Sequence, residues 1–268
     1  MSLTVARDAR IQVPPAQVFL AVLRRDLYVT SRELPVFLAQ VILQPLFLLF
    51  VFGRILTDLG YARGSYAHLL FPGIVALTAT LTGLQSTALP LVIDFSFTKE
   101  VEDRLLAPIP VSFVAIEKVV FASLRALVAA AVMFPVGILV LGSIPYRAGA
   151  LALVVAVLVL ASLVGSAIGL TLGTLVPANR INIMFALILT PLLFTGCSQY
   201  PWPSLHRLEW FQWVTAANPL TYASEGMRAA LVPGVPHIAP WICLVVLVAA
   251  FGLFLAIGTL GFLRRALD

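Results

Sequence analysis

Thr98-Lys-Glu-Val-Glu-Asp-Arg-Leu-Leu-Ala-Pro-Ile-Pro110 is a polar segment between two long apolar segments. Its first half is rich in charged side chains, which are costly in hydrocarbon, and Pro108 and Pro110 interrupt any helix there. We therefore predict that residues 98–110 lie in water as a turn of helix between two membrane spans. A segment in this position can transmit a movement of a soluble partner to both spans.

The composition of the whole chain is that of an integral membrane protein. Of the 268 residues, 61% are hydrophobic and 11% are charged, and the mean hydropathy is +1.04. Soluble domains are about half apolar and a quarter charged. The net charge of +5 comes from basic residues spread along the segments that flank the spans, so we predict membrane lipid and no nucleic acid as a partner.

The apolar pattern predicts an all-α protein with six transmembrane helices in one domain of residues 1–268. We expect the protein to lie in the inner or plasma membrane of the cell. The side that holds the termini carries most of the lysines and arginines, so the positive-inside rule places both termini and residues 98–110 in the cytoplasm. The predicted spans are residues 36–56, 69–93, 113–141, 148–176, 181–197 and 238–263.

Residues 14–32 precede the first span and form an amphipathic pattern. Val18, Phe19, Val22, Leu23 and Leu27 share one helical face, and Arg24, Arg25 and Asp26 are expected off that face. Such a helix suits the membrane surface, with its arginines towards lipid headgroups. The alternative is a lead-in helix in the cytosol.

The second span, residues 69–93, is unusually polar and contains prolines, glycines, threonines and Gln85. A helix of this kind faces either protein or a water-filled path, so it is the first candidate for lining a pathway, and plain helix packing is the alternative. The fourth span carries Gly165, Gly169 and Gly173 at four-residue spacing, which predicts close packing within the bundle or against a second copy.

The connection from Ser198 to Pro236 is rich in tryptophan and tyrosine, which prefer the headgroup region. We predict short re-entrant helices in the outer leaflet between spans five and six. Cys197 and Cys243 are expected near the same membrane face, either as a disulfide or as two packing thiols.

Several kinds of chemistry are absent from the sequence. No phosphate-binding Gly-x-x-x-x-Gly-Lys-Ser/Thr motif exists, so this chain does not hydrolyse ATP itself, and no protease, esterase or metal-ligand motif is present. We therefore predict no catalytic residue, no metal and no cofactor bound by this chain. The midplanes of the spans carry no charge, which disfavours an ion-coupled carrier.

Two motifs resemble those of the type-2 ABC transporter permeases. Residues 99–110, followed by Val111 to Lys118, are similar to the charged cytoplasmic helix and proline step of that family. Asn218-Pro-Leu-Thr-Tyr222, with Glu225, Gly226 and Arg228, is similar to its motif between spans five and six. Within that family, the sequence looks most like the permeases of drug-resistance, nodulation-factor and related lipid or polysaccharide exporters. Glu100-Val-Glu-Asp-Arg104 departs from the family's usual Arg-x-x-Gly-Thr and is more acidic.

The resemblance implies a second permease copy or a paralogue and two separate ATP-binding cassette subunits, which bind ATP and magnesium. Residues 14–32 and 98–110 then form the docking site for the ATPase. The residues expected to couple the two subunits are Lys99, Glu100, Glu102, Asp103, Arg104, Pro108, Pro110, Arg24 and Arg25.

In the second motif, Asn218 and Pro219 are expected to cap and start a short helix, with Tyr222 along it and Glu225 paired to Arg228. Substrate contact is placed on aromatic and weakly polar residues, which suit an amphiphile. These pathway candidates are Thr78, Gln85, Phe95, Phe185, Phe194 and Trp202.

The function expected is thus the permease of an ATP-driven exporter of a lipid-like or drug-like compound. A polysaccharide or teichoic-acid exporter is the alternative within the family. An ion channel, a secondary carrier and a membrane scaffold without transport are the alternatives from other classes.

Overall fold

The computed structural model describes residues 14–61, 65–95 and 110–267, and these ranges contain helices and no strand. α2 includes a π-helical segment, Leu49–Ile55, and short 3-10 turns lie at Ala148–Ala150, Ala178–Arg180 and Trp202–Arg207. The α-helices in chain order are α1 Pro15–Arg32, α2 Leu34–Asp58, α3 Tyr66–Ile93, α4 Val111–Leu141, α5 Leu151–Leu175, α6 Ile181–Thr195, α7 Glu209–Ala216, α8 Pro219–Leu231 and α9 Pro240–Leu267.

Five helices of the described ranges, α2, α3, α4, α5 and α9, are long and apolar enough to cross a membrane. The fifth predicted span, residues 181–197, is occupied by α6, which has 15 residues. At 1.5 Å per residue it is about 22 Å long, shorter than a hydrocarbon core of about 30 Å. The sixth crossing of the membrane therefore stays a prediction.

The bundle of helices has two ends, and we name each after a helix that lies there: the α1 end and the α8 end. At the α1 end, the ring of Phe19 in α1 meets that of Phe113 in α4 edge to face, and Arg265 of α9 donates to the Val176 carbonyl just after α5. At the α8 end, Arg228 of α8 donates to the Leu69 carbonyl in α3. The first described helix and the end of α9 thus lie at the same end, as the predicted topology requires.

α3 occupies the centre of the bundle. In its most apolar window 89% is buried, against 17% in α9, although its mean hydropathy of 1.6 is the lowest of the five long helices. The hydroxyls of Thr78, Thr80 and Thr87 donate to the backbone carbonyls four residues earlier. The surrounding helices therefore shield these threonines of α3 from lipid.

Small residues bring α5 into backbone contact with α3. A Cβ atom on Gly165 would lie 2.1 Å from the Thr80 carbonyl oxygen, and one on Gly169 would lie 2.4 Å from the Leu84 carbonyl oxygen. The glycine-rich face of α5 therefore packs within the chain, and of the two alternatives for this face the first is confirmed.

α1 packs on α4 with a face slightly different from the expected one. Phe19, Val22 and Asp26 are half-buried, whereas Leu27 is 38% exposed. The expectation for Asp26 and Leu27 was wrong because the packed face is rotated by a fraction of a turn towards α4. Arg24 and Arg25 are exposed, as predicted. The placement of α1 at a membrane surface stays a prediction.

Candidate functional site

An ion pair at the α1 end joins the two helices that flank the polar segment. The Lys118 ammonium of α4 lies 2.7 Å from a carboxylate oxygen of Asp94, which directly follows α3, and the two side chains are only 12% and 10% exposed. The pair fixes the point where α3 and α4 approach the segment between them. Sequence analysis does not predict this pair, because the two residues are separated by 24 positions.

The polar segment lies mostly outside the described residues. Pro110 is described, and it is exposed and directly precedes α4 in an extended conformation. The coupling residues that fall outside the described ranges are Lys99, Glu100, Glu102, Asp103, Arg104 and Pro108. Their assignment to coupling stays a prediction.

We expect Asp94 and Lys118 to be energetically coupled. A hydrogen bond between charged groups contributes about 1.5–3 kcal/mol. A double-mutant cycle with Asp94→Asn and Lys118→Met, measured by unfolding in detergent, should give a coupling energy of about this size. The cycle isolates the pair from the other interactions of Asp94, and strictly additive single effects would show that the pair contributes nothing.

Arg265 closes the C-terminal end of α5 at the same end. One guanidinium nitrogen donates to the carbonyls of Gly173, Thr174 and Val176, at 3.1 to 3.3 Å. The guanidinium also lies 4.8 Å from the centre of the Phe95 ring. Cations are favourable at helix C-termini, where the last carbonyls lack partners within the helix.

α8, at the opposite end, has one polar side. The polar residues on this side are spaced three and four positions apart, which places them on one face of a helix. They donate to a run of backbone carbonyls at the end of α6 and just after it. The donor and acceptor pairs are Asn218 to Leu192, Thr221 to Thr195, Ser224 to Gly196, and Arg228 to Cys197 and Ser198.

These hydrogen bonds satisfy the backbone carbonyls at the end of α6. The last carbonyls of α6 have no partner in their own helix, and hydrocarbon supplies none. α8 is almost entirely buried and provides the missing donors. Gly73 of α3 permits the close approach, since a Cβ atom there would lie 1.9 Å from the Ser198 carbonyl oxygen.

Glu225 and Arg228 form a fully buried ion pair on α8, with a separation of 2.7 Å and no exposure of either side chain. Arg228 also donates to the Leu69 carbonyl. Glu225 accepts hydrogen bonds from the backbone N–H groups of Trp202 and Ile238, at 3.0 and 3.1 Å. The pair therefore ties α8 to α3, to the end of α6, to the 3-10 turn and to the segment before α9.

The predictions for this motif are confirmed in their structural part. Asn218 accepts from the Leu220 N–H at 2.9 Å, and Pro219 is the first residue of α8. The Tyr222 hydroxyl donates to the Ala216 carbonyl at 2.9 Å. What sequence analysis missed is the binding of backbone carbonyls by α8. The signal for it was the spacing of 218, 221, 224 and 228 in a helix otherwise made of small and apolar residues.

Three of the pathway candidates lie in packed or bonded surroundings. Thr78 is 1% exposed and bonds within α3, which favours the packing alternative for this residue. Trp202 joins the Glu225–Arg228 cluster, and its indole N–H donates to the Gln212 carbonyl. Phe95 packs against Phe262 at the α1 end.

The other three candidates differ from one another in their surroundings. Gln85 is half-buried on the second half of α3. Phe185 packs against the main core, whereas Phe194 is 54% exposed. The structure does not bring the six candidates into one lining, and their contact with substrate stays a prediction.

Cys197 and Cys243 are both free and buried. Because alkylation requires the reagent to reach the thiolate, we expect the folded protein to react slowly with a maleimide at pH 7. Unfolding in detergent should release the thiol. Rapid labelling of Cys197 in the folded protein, read by mass spectrometry, would contradict this burial.

Comparison with known proteins identifies the family of this chain. The family model of the ABC-2 type transporter matches residues 17–232. The protein ycf38 of Cyanophora paradoxa, which is described as a proposed transport permease, is 28% identical over 224 residues, or 78% of this chain and 72% of the relative. The match runs from α1 to the end of α8 and so includes both ends of the bundle. This chain belongs to the ABC-2 type transporter family and is a transmembrane transport permease.

Proposed function

We propose that this chain is the membrane subunit of an ATP-driven exporter. Two permeases, identical or related, assemble with two ATPase subunits, which bind ATP and magnesium. Members of the family generally work with ATPase subunits, which supports this arrangement. The α1 end then faces the cytoplasm, and the α8 end faces outwards across the cell membrane.

The observation that carries the proposal is the geometry at the α1 end. The Asp94–Lys118 pair holds the end of α3 against the start of α4, and the polar segment connects these two helices. α1 packs on the same start of α4 through Phe19 and Phe113. A partner that pushes residues 98–110 therefore acts on the central helix α3 and on α4 together. Charged residues in this segment and on α1 set the register and choice of the partner.

The contacts at the α8 end support a rigid, structural role for α8 during transport. The Glu225–Arg228 cluster is bonded to several segments, and breaking it would leave buried charges without partners. We therefore propose that α8 and its bonded segments move as one unit when ATP binding rocks the bundle between two states.

The substrate class that we propose is an amphiphilic, lipid-like or drug-like compound. α3 remains accessible along one side of its second half, where the exposed and half-buried positions are spaced three and four apart. This strip contains two polar uncharged residues and no ionisable one, which suits a weakly polar molecule better than an ion. Its members are Gln85, Ser86, Leu89, Pro90 and Ile93.

The test is co-expression with candidate ATPase subunits, followed by purification and an ATPase assay in lipid. We expect a complex of two permeases and two ATPases. The double charge reversal Glu102→Lys with Arg104→Glu should block assembly or uncouple ATP hydrolysis from transport. Reversal of the exposed Arg54–Asp58 pair near the α8 end is the matched control, because it changes the same charges away from the docking end.

Two results would contradict the proposal. Normal coupled transport in the Glu102/Arg104 variant would remove the docking assignment. Failure of the wild-type chain to bind any ATPase subunit would reopen the channel and carrier alternatives.

A further inference from the structure

A polar cleft lies where α1 turns into α2, against the side of α4. Its volume is about 160 Å³, enough for about five waters at about 30 Å³ each. Glu33 is the single residue between α1 and α2, and Arg125 is a residue of α4 whose guanidinium lies beside the first turn of α2. The polar residues that line the cleft are Thr30, Glu33, Gln40 and Arg125, and Val36 and Phe37 form its apolar wall.

Arg125 is a charged side chain without a hydrogen-bond partner in the described part of the chain. Its guanidinium lies over the Phe37 ring at 4.0 Å and beside the Phe121 ring at 5.6 Å. The Nε atom is buried and no described residue accepts a hydrogen bond from it. Aromatic faces offset part of the cost of a cation in apolar surroundings, but a guanidinium normally donates to an acceptor as well.

The depth of the cleft points to a lipid headgroup as the source of that acceptor. Phe37 lies three residues after the start of α2, about 4.5 Å along its axis. α2 spans 25 residues, about 37 Å, which exceeds a hydrocarbon core of about 30 Å. The first turn of α2, and the guanidinium beside it, therefore lie near the boundary between acyl chains and headgroups. Phospholipid phosphates occupy this level.

Glu33 distinguishes between kinds of headgroup. Its carboxylate is exposed and close enough to Arg125 to interact with it electrostatically, yet no ion pair within 4.0 Å joins them among the described residues. The cleft thus presents a cation and an anion side by side, with space between them. A second negative charge would repel the carboxylate, and a glycerol headgroup would offer it only neutral hydroxyl donors. A primary ammonium would offer it a charged donor, which forms the stronger hydrogen bond.

We propose that this cleft binds the headgroup of phosphatidylethanolamine, with the phosphate at Arg125 and the ammonium at Glu33. The acyl chains then extend along the exposed apolar side of α2, which includes Val36, Leu43 and Phe47. A lipid in this place fills the angle between α1 and α2. It thereby steadies α1 at the membrane surface without taking part in transport.

The experiment uses the full-length protein, stripped of lipid in detergent and incubated with equimolar phosphatidylethanolamine and phosphatidylglycerol. Native mass spectrometry measures the lipid that is retained. We expect a preference of about tenfold for phosphatidylethanolamine, the size expected of one added charged hydrogen bond. Arg125→Gln should lose retention of both lipids at this site. Arg147→Gln, an exposed arginine in the loop before α5, is the matched control.

Glu33→Gln provides a second test that does not depend on a buried residue. The side chain is exposed, so the variant should fold, and it should retain both lipids equally. Unchanged retention in Arg125→Gln would overturn the proposal. Equal retention of the two lipids by the wild-type protein, or a wild-type preference in Glu33→Gln, would overturn the ethanolamine assignment.

Discussion

Arg228→Met is expected to prevent accumulation of folded protein. The substitution leaves the Glu225 carboxylate buried without its cation, and it removes the donor to the carbonyls of Leu69, Cys197 and Ser198. Removing one partner of a buried ion pair costs about 3–5 kcal/mol, a large share of the stability of a typical domain. Size-exclusion chromatography of fluorescently tagged protein measures the folded fraction.

The matched control for this prediction is Arg207→Met. Arg207 lies in the 3-10 turn next to the same cluster, but it is exposed. It should leave the elution profile unchanged. Arg228→Lys should also be severely destabilised, because a single ammonium cannot reproduce the planar fork of donors that reaches four acceptors. A monodisperse Arg228→Met protein of normal thermal stability would show that the cluster is not needed for the fold.

Gly165→Ala is expected to destabilise the bundle although alanine favours helices. A helical glycine replaced by alanine normally gains about 0.5–1 kcal/mol. Here the new methyl group would lie 2.1 Å from the Thr80 carbonyl oxygen, and the contact is with backbone, which cannot move aside as a side chain can. Overpacking of this kind typically costs about 1–3 kcal/mol.

Gly252→Ala on α9 is the matched control for Gly165→Ala. Nothing lies within 4 Å of a Cβ atom at Gly252. Thermal unfolding in detergent should show a lowered midpoint for Gly165→Ala and an unchanged or raised midpoint for Gly252→Ala. Equal midpoints for the two variants would contradict the backbone contact between α3 and α5.

Apolar periodicity predicts most of the fold because long helices are required to satisfy the backbone in hydrocarbon. The positions of α2, α3, α4, α5 and α9 follow directly from hydropathy. α6 is the exception. Its apolar run ends where Pro191 and Gly196 disturb the helix, and the carbonyls beyond are bonded by a helix that begins more than 20 residues later. A contact between distant segments of this kind leaves no trace in local hydropathy.

For the sites too, the sequence revealed local contacts and did not reveal contacts between distant segments. The pairing of Glu225 with Arg228 is local, three residues apart on one helix, and it was predicted. The pairing of Asp94 with Lys118 and the stacking of Arg125 on Phe37 depend on how separate helices pack, and they were not. The polar composition of α3 indicated shielding from lipid. It did not distinguish a packed centre from a pathway, because both keep hydroxyl groups away from lipid.

Hydrogen exchange of the permease, with and without the ATPase subunit, is the experiment that decides whether the α1 end is the docking end. We predict that the ATPase slows exchange in residues 14–32 and 98–110 and leaves residues 219–231 of α8 unchanged. Addition of ATP and magnesium should change exchange in α3 and α4 beyond the docking segments. Slowed exchange in α8 with none in residues 98–110 would contradict this account, because the partner would then bind the opposite end of the bundle.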